Sequence, residues 1–262
     1  MLFRSYYIDV NASFNHNKII SYPESQSTPA WQKITGTPVG SFSNNVFSSG
    51  PYLGYHAQGL YQTAQEVAAG PTPLFPTVAP GDVRYQDIDK NGAIRANDEV
   101  VIGKKFFPGL QYGIRWGVRY QGIELNVLFQ GTGEVRGYNY AGEFNEVAGS
   151  VQLVNHWTPQ TPNAPFPRLW INYQNNGQSS DYWVINNAYM RVKNIELAYN
   201  LPRRWLQKVG VKNIRVAFSG NNLITFSKFK LYDPEEAVIT SSTGGLNNPL
   251  LKSYTAGVSL QF

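Results

Sequence analysis

The last ten residues of the chain alternate strictly between apolar and polar side chains. Tyr254, Ala256, Val258, Leu260 and Phe262 share one phase; Ser253, Thr255, Gly257, Ser259 and Gln261 share the other. Period-two alternation predicts a strand with one apolar and one wet face, and about ten residues crosses a bilayer when tilted. Leu110, Tyr112, Ile114, Trp116, Val118 and Tyr120 are set in the same way against Gln111, Gly113, Arg115, Gly117, Arg119 and Gln121. A tight turn at Gln121-Gly122 leads into Ile123, Leu125, Val127 and Phe129, opposed by Glu124, Asn126 and Gln130, so the two segments read as a hairpin. Leu128 is the exception on the wet phase.

Near the start, Tyr6, Ile8, Val10, Ala12 and Phe14 oppose Ser5, Tyr7, Asp9, Asn11, Ser13 and Asn15, which predicts another spanning strand with Asp9 pointing to the wet side. Between Ala188 and Leu201 the parity changes. Met190 and Val192 lie on one phase and Ile195, Leu197, Tyr199 and Leu201 on the other, which marks Asn194 as a bulge or a membrane-boundary crossing. Ile214, Val216 and Phe218 against Arg215, Ala217 and Ser219 complete a set of six strands. Short links (121–122 and 202–212) alternate with links of about 95, 55 and 30 residues. In outer-membrane barrels short turns face the periplasm and long loops face outside, so this order ends on the periplasmic side.

Composition supports this picture. Charged residues are 15% of the chain, against roughly 25% in ordinary soluble domains, while Tyr (17), Phe (14) and Gly (24) abound. The absence of Cys excludes disulfides, thiolate metal sites and thiol nucleophiles. The net charge of +5 is scattered, with no basic run longer than Arg203-Arg204 or Lys104-Lys105, so no nucleic-acid partner is predicted. No stretch approaches the roughly 18 apolar residues of a transmembrane helix, which leaves any membrane crossing to strands. The opening residues lack the pattern of a secretory signal, and the expectation is of a truncated chain.

Several segments resemble the C-terminal region of the SusC/RagA family of TonB-linked outer-membrane proteins. They are Gly81-Asp-Val-Arg-Tyr-Gln-Asp-Ile-Asp-Lys-Asn-Gly92, Ile102-Gly103 with Pro108, 156–168, Tyr189-Met-Arg-Val-Lys-Asn194, Gly220-Asn-Asn-Leu-Ile-Thr-Phe226, Asp233-Pro-Glu235 and the closing strand. The resemblance covers nearly the whole chain in the expected order. It departs at Ala93, where a charged residue or Gly is usual, and at Asn248-Pro249, where an aromatic-Pro pair is usual.

The resemblance implies an all-β fold: about six C-terminal strands of an antiparallel transmembrane β-barrel with long extracellular loops. Residues 1–262 form one unit of that barrel, and its plug domain and N-terminal strands lie outside the chain. The implied partners are outer-membrane lipid, a SusD-like surface lipoprotein, TonB through the missing N-terminal region, and a glycan or peptide ligand. The implied location is the outer membrane of a Gram-negative bacterium, and Phe262 is similar to the terminal aromatic signal of barrel assembly.

Two groups of residues carry candidate chemistry. Asp87, Asp89, Asn91 and Gly92 have the spacing of the first half of a calcium loop, with the Ala93 carbonyl at the seventh position and Asp98 at the twelfth. Calcium takes several hard oxygens, and the glycine permits the sharp turn; Arg95 at the ninth position opposes a cation. An Asx-rich turn without metal is the alternative. Trp157, Trp170, Tyr173, Tyr182 and Trp183 offer flat faces for a sugar, or they pack their loop on itself or on a partner.

Arg115, Arg119, Glu124, Arg191, Lys193 and Arg215 belong to the wet face as salt bridges, and Asp233-Pro234-Glu235-Glu236 reads as a solvated acidic turn. The three histidines are far apart and show no nucleophile or zinc spacing, so the chain is not expected to be an enzyme. The competing function is a secreted calcium-stabilised β-rich domain that binds carbohydrate.

Overall fold

A backbone in strand conformation must find its hydrogen bonds on neighbouring strands, and a strict two-residue period fixes which side chains share a face. A computed structural model describes residues 4–38, 53–102, 108–138, 154–169, 174–206, 210–230, 233–235 and 250–262. In chain order its strands are β1 (Arg4–Phe14), β2 (Leu53–Tyr55), β3 (Ala57–Leu60), β4 (Val83–Tyr85), β5 (Glu99–Val101), β6 (Leu110–Tyr120), β7 (Ile123–Gly133), β8 (Arg136–Tyr138), β9 (Val184–Asn186), β10 (Tyr189–Asn200), β11 (Asn213–Ser227) and β12 (Ser253–Gln261). Two short helices are α1 (Ala64–Ala69) and α2 (Arg203–Leu206).

The six alternating segments form one six-stranded antiparallel sheet in the order β1-β6-β7-β10-β11-β12. The sheet is open, and no closed barrel is formed among the described residues. Gln121 and Gly122 both have positive φ (51° and 89°), the backbone of a two-residue hairpin whose twist matches its strands. The irregularity expected at Asn194 is a bulge: both pairings of β10 shift register between Val192 and Asn194. The extra residue returns Ile195 and Leu197 to the apolar phase. β11 continues to Ser227, well past the expected Ser219, because Ile224 to Ser227 resume pairing with β10 beyond an irregularity at Asn222 and Leu223, which interrupts the period-two pattern.

Register turns the alternation into continuous rows across the sheet. Val10, Ile114, Phe129, Val192 and Ile224 are paired side by side in one apolar row, and Arg4, Tyr120, Ile123, Tyr199, Val216 and Val258 make another. On the opposite face Asp9 pairs with Arg115, Arg119 with Glu124, and Asn194 with Asn221; Leu128 lies there too, between Arg115 and Asn194.

Much of the apolar face is exposed, although Val127 and Val192 on it are buried (8% and 5% exposed). Ile8 is 61% exposed, Val10 67%, Phe218 57% and Val258 66%. Phe14, Leu110 and Gly133 mark the end from which the long links leave, and the short turns lie at the other. Among the described residues no helix is long and apolar enough to cross a membrane.

The long links are not plain loops. β2 pairs with β5, β3 with β4, and β8 with β9. Tyr55, Val83, Tyr85 and Ile94 form a buried cluster against Ala57, Leu60, Leu74 and Tyr182. Three-residue strands are too short to show a period, so this second core is invisible to pattern reading.

Candidate functional site

The two longest links meet over a carboxylate. Asp82 is 2% exposed and precedes β4; its Oδ1 accepts from Asn176 Nδ2 at 2.8 Å and lies 2.7 Å from Arg168 Nε. Its Oδ2 accepts from Ala79 N and from Arg168 Nη2, each at 2.9 Å. Asn175 and Asn176 continue the join: Asn176 Oδ1 accepts from Val83 N at 2.8 Å, and Asn175 Nδ2 donates to Val83 O at 2.8 Å. A buried carboxylate with this many charged and amide donors is a strong tie, because each partner would otherwise be left desolvated. Sequence reading passed over Asp82, Arg168, Asn175 and Asn176, since their partners lie 86 to 94 residues away.

The aromatic residues serve this join. Trp157 and Trp183 are 7% and 2% exposed, with no open face for a sugar to stack on. Trp157 Nε1 donates to Gln62 at 3.0 Å and Trp183 Nε1 to the Asn176 carbonyl at 3.0 Å. Gly81, at φ +89°, lies under the Trp157 ring, and a Cβ there would meet the ring at 2.4 Å. Tyr182 donates to Pro165 O at 2.7 Å and stacks edge-on against Trp183; burial pushes its hydroxyl up to about 12. Trp157 and Trp183 thus pack the join, the packing alternative for these aromatics, and Tyr182 bonds across it. Trp170 and Tyr173 lie outside the described residues.

The acidic loop closes as its spacing predicts. Carboxylate oxygens of Asp87, Asp89 and Asp98 lie within 4.8 Å of one another. Lys90 (φ 58°) and Gly92 (φ 83°) make the sharp turn. The Asn91 and Gly92 amides donate to Asp87 at 3.2 and 2.8 Å, and Asn91 Oδ1 accepts from Ala93 N at 2.9 Å. Asp98 is fully buried and accepts from the amides of Ile88, Asp89 and Arg95. Arg95 turns its guanidinium to the Ile94 carbonyl at 2.6 Å. Three convergent carboxylates on a tight oxygen-rich loop fit a hard divalent cation.

Beside this loop lies an open cleft of about 510 Å³ lined in part by Trp31, Lys33, Thr37, His56, Ile102 and Asp181. Trp31 Nε1 donates to Asn97 O at 2.8 Å, which fixes the indole against the acidic loop. His56 Nδ1 hydrogen-bonds Asp181 Oδ2, and Asp181 Oδ1 accepts from Ala57 N at 2.7 Å. The cleft therefore presents an aromatic plate, an ammonium and an oriented imidazole. Only tertiary folding brings His56 and Asp181 together.

On the polar face of the main sheet, Arg119 reaches Glu124 at 2.7 Å and Arg215 reaches Glu196 at 2.6 Å, the salt bridges expected there. The acidic turn differs from its expectation. Asp233 lies 2.5 Å from Arg191, and Glu235 3.2 Å from Lys193, so the turn is fastened to β10 rather than solvated. Glu236 lies outside the described residues.

No family model matches the chain. It is 27% identical to TonB-dependent receptor P3 of Formosa agariphila over 96% of its own length, and 23% identical to TonB-dependent receptor SusC of Bacteroides thetaiotaomicron over 97%. The chain is similar to TonB-dependent receptors of the SusC type. The chain spans about a quarter of the length of those relatives (26% and 24%). Its fold is similar to a chain of the RagAB peptide importer in the open-open state, with a TM-score of 0.65 and 21% identity over 99% of the segment and 27% of that chain.

Proposed function

We propose that the chain forms part of the wall of a TonB-dependent outer-membrane transporter in a Gram-negative bacterium. The observation that carries this reading is the sheet itself: six antiparallel strands with one face of largely exposed apolar rows and the other of charged and amide side chains. An apolar surface of this extent is unfavourable in water and is satisfied by hydrocarbon, while the polar face suits a hydrated conduit. β1 and β12 each have an unpaired edge among the described residues, and further strands of the same barrel would satisfy them.

On this reading the joined links crown the outer mouth and meet a SusD-like lipoprotein. The cargo is an oligosaccharide or a peptide, and the cleft between Trp31 and His56 is its candidate contact. Energy comes from TonB acting on parts of the receptor outside this chain. Phe262, 74% exposed at the end of an outward row, serves barrel assembly. Calcium held by Asp87, Asp89, Asn91, the Ala93 carbonyl and Asp98 stiffens the loop beside the cleft. The competing reading, a secreted carbohydrate-binding domain, leaves the apolar face in water.

The absence of Cys from the chain makes a direct test available. Single cysteines at Val10, Ile114, Phe218 and Val258 are expected to react only with lipid-soluble reagents in isolated outer membranes. Cysteines at Asn11, Gln130, Ser219 and Ser259 are expected to react with polar maleimides. Equal labelling of the two sets would remove the transporter reading. For the metal, calcium is expected to raise the melting temperature of the full-length protein relative to chelator, and Asp87→Ala with Asp89→Ala to abolish the difference; an unchanged parent would exclude the site.

A further inference from the structure

We propose that the short-turn rim of the sheet binds the phosphate headgroup of an anionic glycerophospholipid through Arg203, Arg204, Trp205 and Lys212, with Arg4 continuing the site along the rim. This rests on the reading that the apolar face touches lipid.

The rim is built around α2, between β10 and β11. Leu206 is 3% exposed and pins the helix, whereas Arg203 and Arg204 are exposed and Trp205 is 56% exposed. Arg204 lies over the Trp205 ring, 5.8 Å from its centroid. An exposed indole beneath a guanidinium group is poorly accommodated by bulk water. It is well accommodated at the level of headgroups, where the ring meets acyl carbon and its N–H meets phosphate or ester oxygen.

Register adds two cations on the outward phase. Lys212 precedes the outward residue Ile214 by two, and its Nζ donates one hydrogen bond to Phe262 O at 2.9 Å, leaving two donors. Arg4 ends the outward row that contains Tyr120 and Val258, with its guanidinium 4.9 Å above the Tyr120 ring.

Charge complementarity selects an anionic partner. The side-chain carboxylates Glu124 and Glu196 lie on the opposite face and are held by Arg119 and Arg215. Among the described residues no side-chain carboxylate pairs with Arg4, Arg203, Arg204 or Lys212. The apolar residues Val216, Val258 and Leu260, 44%, 66% and 53% exposed, continue the outward phase inboard of Lys212, where acyl chains would rest. Arg4 is four strand spacings from β11, about 19 Å, so it serves a neighbouring lipid in the same ring rather than the one at α2.

The test uses the full-length protein in mixed phosphatidylglycerol and phosphatidylethanolamine nanodiscs, with retained lipids read by native mass spectrometry. Wild type is expected to retain phosphatidylglycerol several-fold over phosphatidylethanolamine, R203Q/R204Q/K212Q to lose the preference, and R203K/R204K to keep it. Should the triple variant fail to fold, raising the ionic strength around wild type is expected to erase the preference. An embedded protein whose lipid selectivity ignores both the substitutions and the salt would overturn the site and leave the barrel intact. A protein that does not enter the bilayer would instead remove the membrane reading, and the site with it.

Discussion

Arg191 on β10 and Asp233 beyond β11 are 42 residues apart in sequence and 2.5 Å apart in space. Arg191 is 1% exposed, with Thr225 Oγ1 accepting from its Nε at 3.0 Å and the Tyr189 ring 5.5 Å away. Its Nη1 lies 3.1 Å from Glu235 Oε2, an ion-pair distance without hydrogen-bond alignment. A guanidinium this deeply placed depends on its acids, so the segment after β11 is held against the wall of the sheet. The bulge at Lys193 adds a second cation to the same Glu235.

Asp233→Ala removes one partner and leaves the charge of Arg191 buried, which is expected to cost about 3–5 kcal/mol. Denaturant unfolding of the detergent-solubilised protein measures this. R191M/D233L, which removes both charges, is expected to recover most of the loss; a double variant as unstable as Asp233→Ala would show that the charges are not its source.

Charge placed on the apolar rows reports depth. Ile114→Arg, in the middle row, is expected to destabilise the folded protein in lipid by about 2–4 kcal/mol, and Leu260→Arg, near the short-turn rim, by about 0–1 kcal/mol. Asn11→Arg, beside Ile114 in the sheet but on the polar face, is expected to be nearly neutral. Equal effects at Ile114 and Asn11 would contradict a two-solvent sheet.

The tie at Asp82 holds the first and second long links together. Asp82→Ala is expected to loosen them by about 3–5 kcal/mol, because Arg168 and Asn176 lose a shared buried partner. Limited proteolysis should then cut within 154–169 while the main sheet resists. Gly81→Ala is expected to produce the same cleavage pattern through strain and a clash with Trp157.

Alkaline pH should open this crown before the sheet. Burial pushes the hydroxyls of Tyr55 and Tyr182 up to about 12, and that of Tyr85, which donates to Asn175 O at 2.7 Å, higher still. Unfolded tyrosines ionise near 10, so the stability these groups supply is full below pH 10 and falls as pH rises toward 12. Tyr182→Phe is expected to flatten the fall, read as hydrogen-exchange protection of residues 174–183 against pH. Burial likewise raises the Glu99 carboxyl, so ionising it in the folded state is unfavourable and stability falls as pH rises through its folded value. Glu99→Gln is therefore expected to raise the melting temperature at neutral pH, and a lowered one would contradict the assignment.

The sequence by itself determined the sheet. Strict alternation in the segments ending at Phe14, Tyr120 and Phe262 fixes which side chains share a face, because a pleat allows only one partition. The break at Asn194 and the Gln121-Gly122 turn were legible for the same local reason, as was the loop from Asp87 to Asp98, whose donors lie within twelve positions. Tertiary structure alone decided the rest. Asp82 meets Arg168, His56 meets Asp181, and Arg191 meets Asp233 across long stretches of chain. Such contacts leave no period behind, since each depends on where two distant segments are delivered by the strands between them. Burial of Trp157 and Trp183 has the same origin: an aromatic ring reads alike in sequence whether it awaits a ligand or fills a core, and only its neighbours distinguish the two.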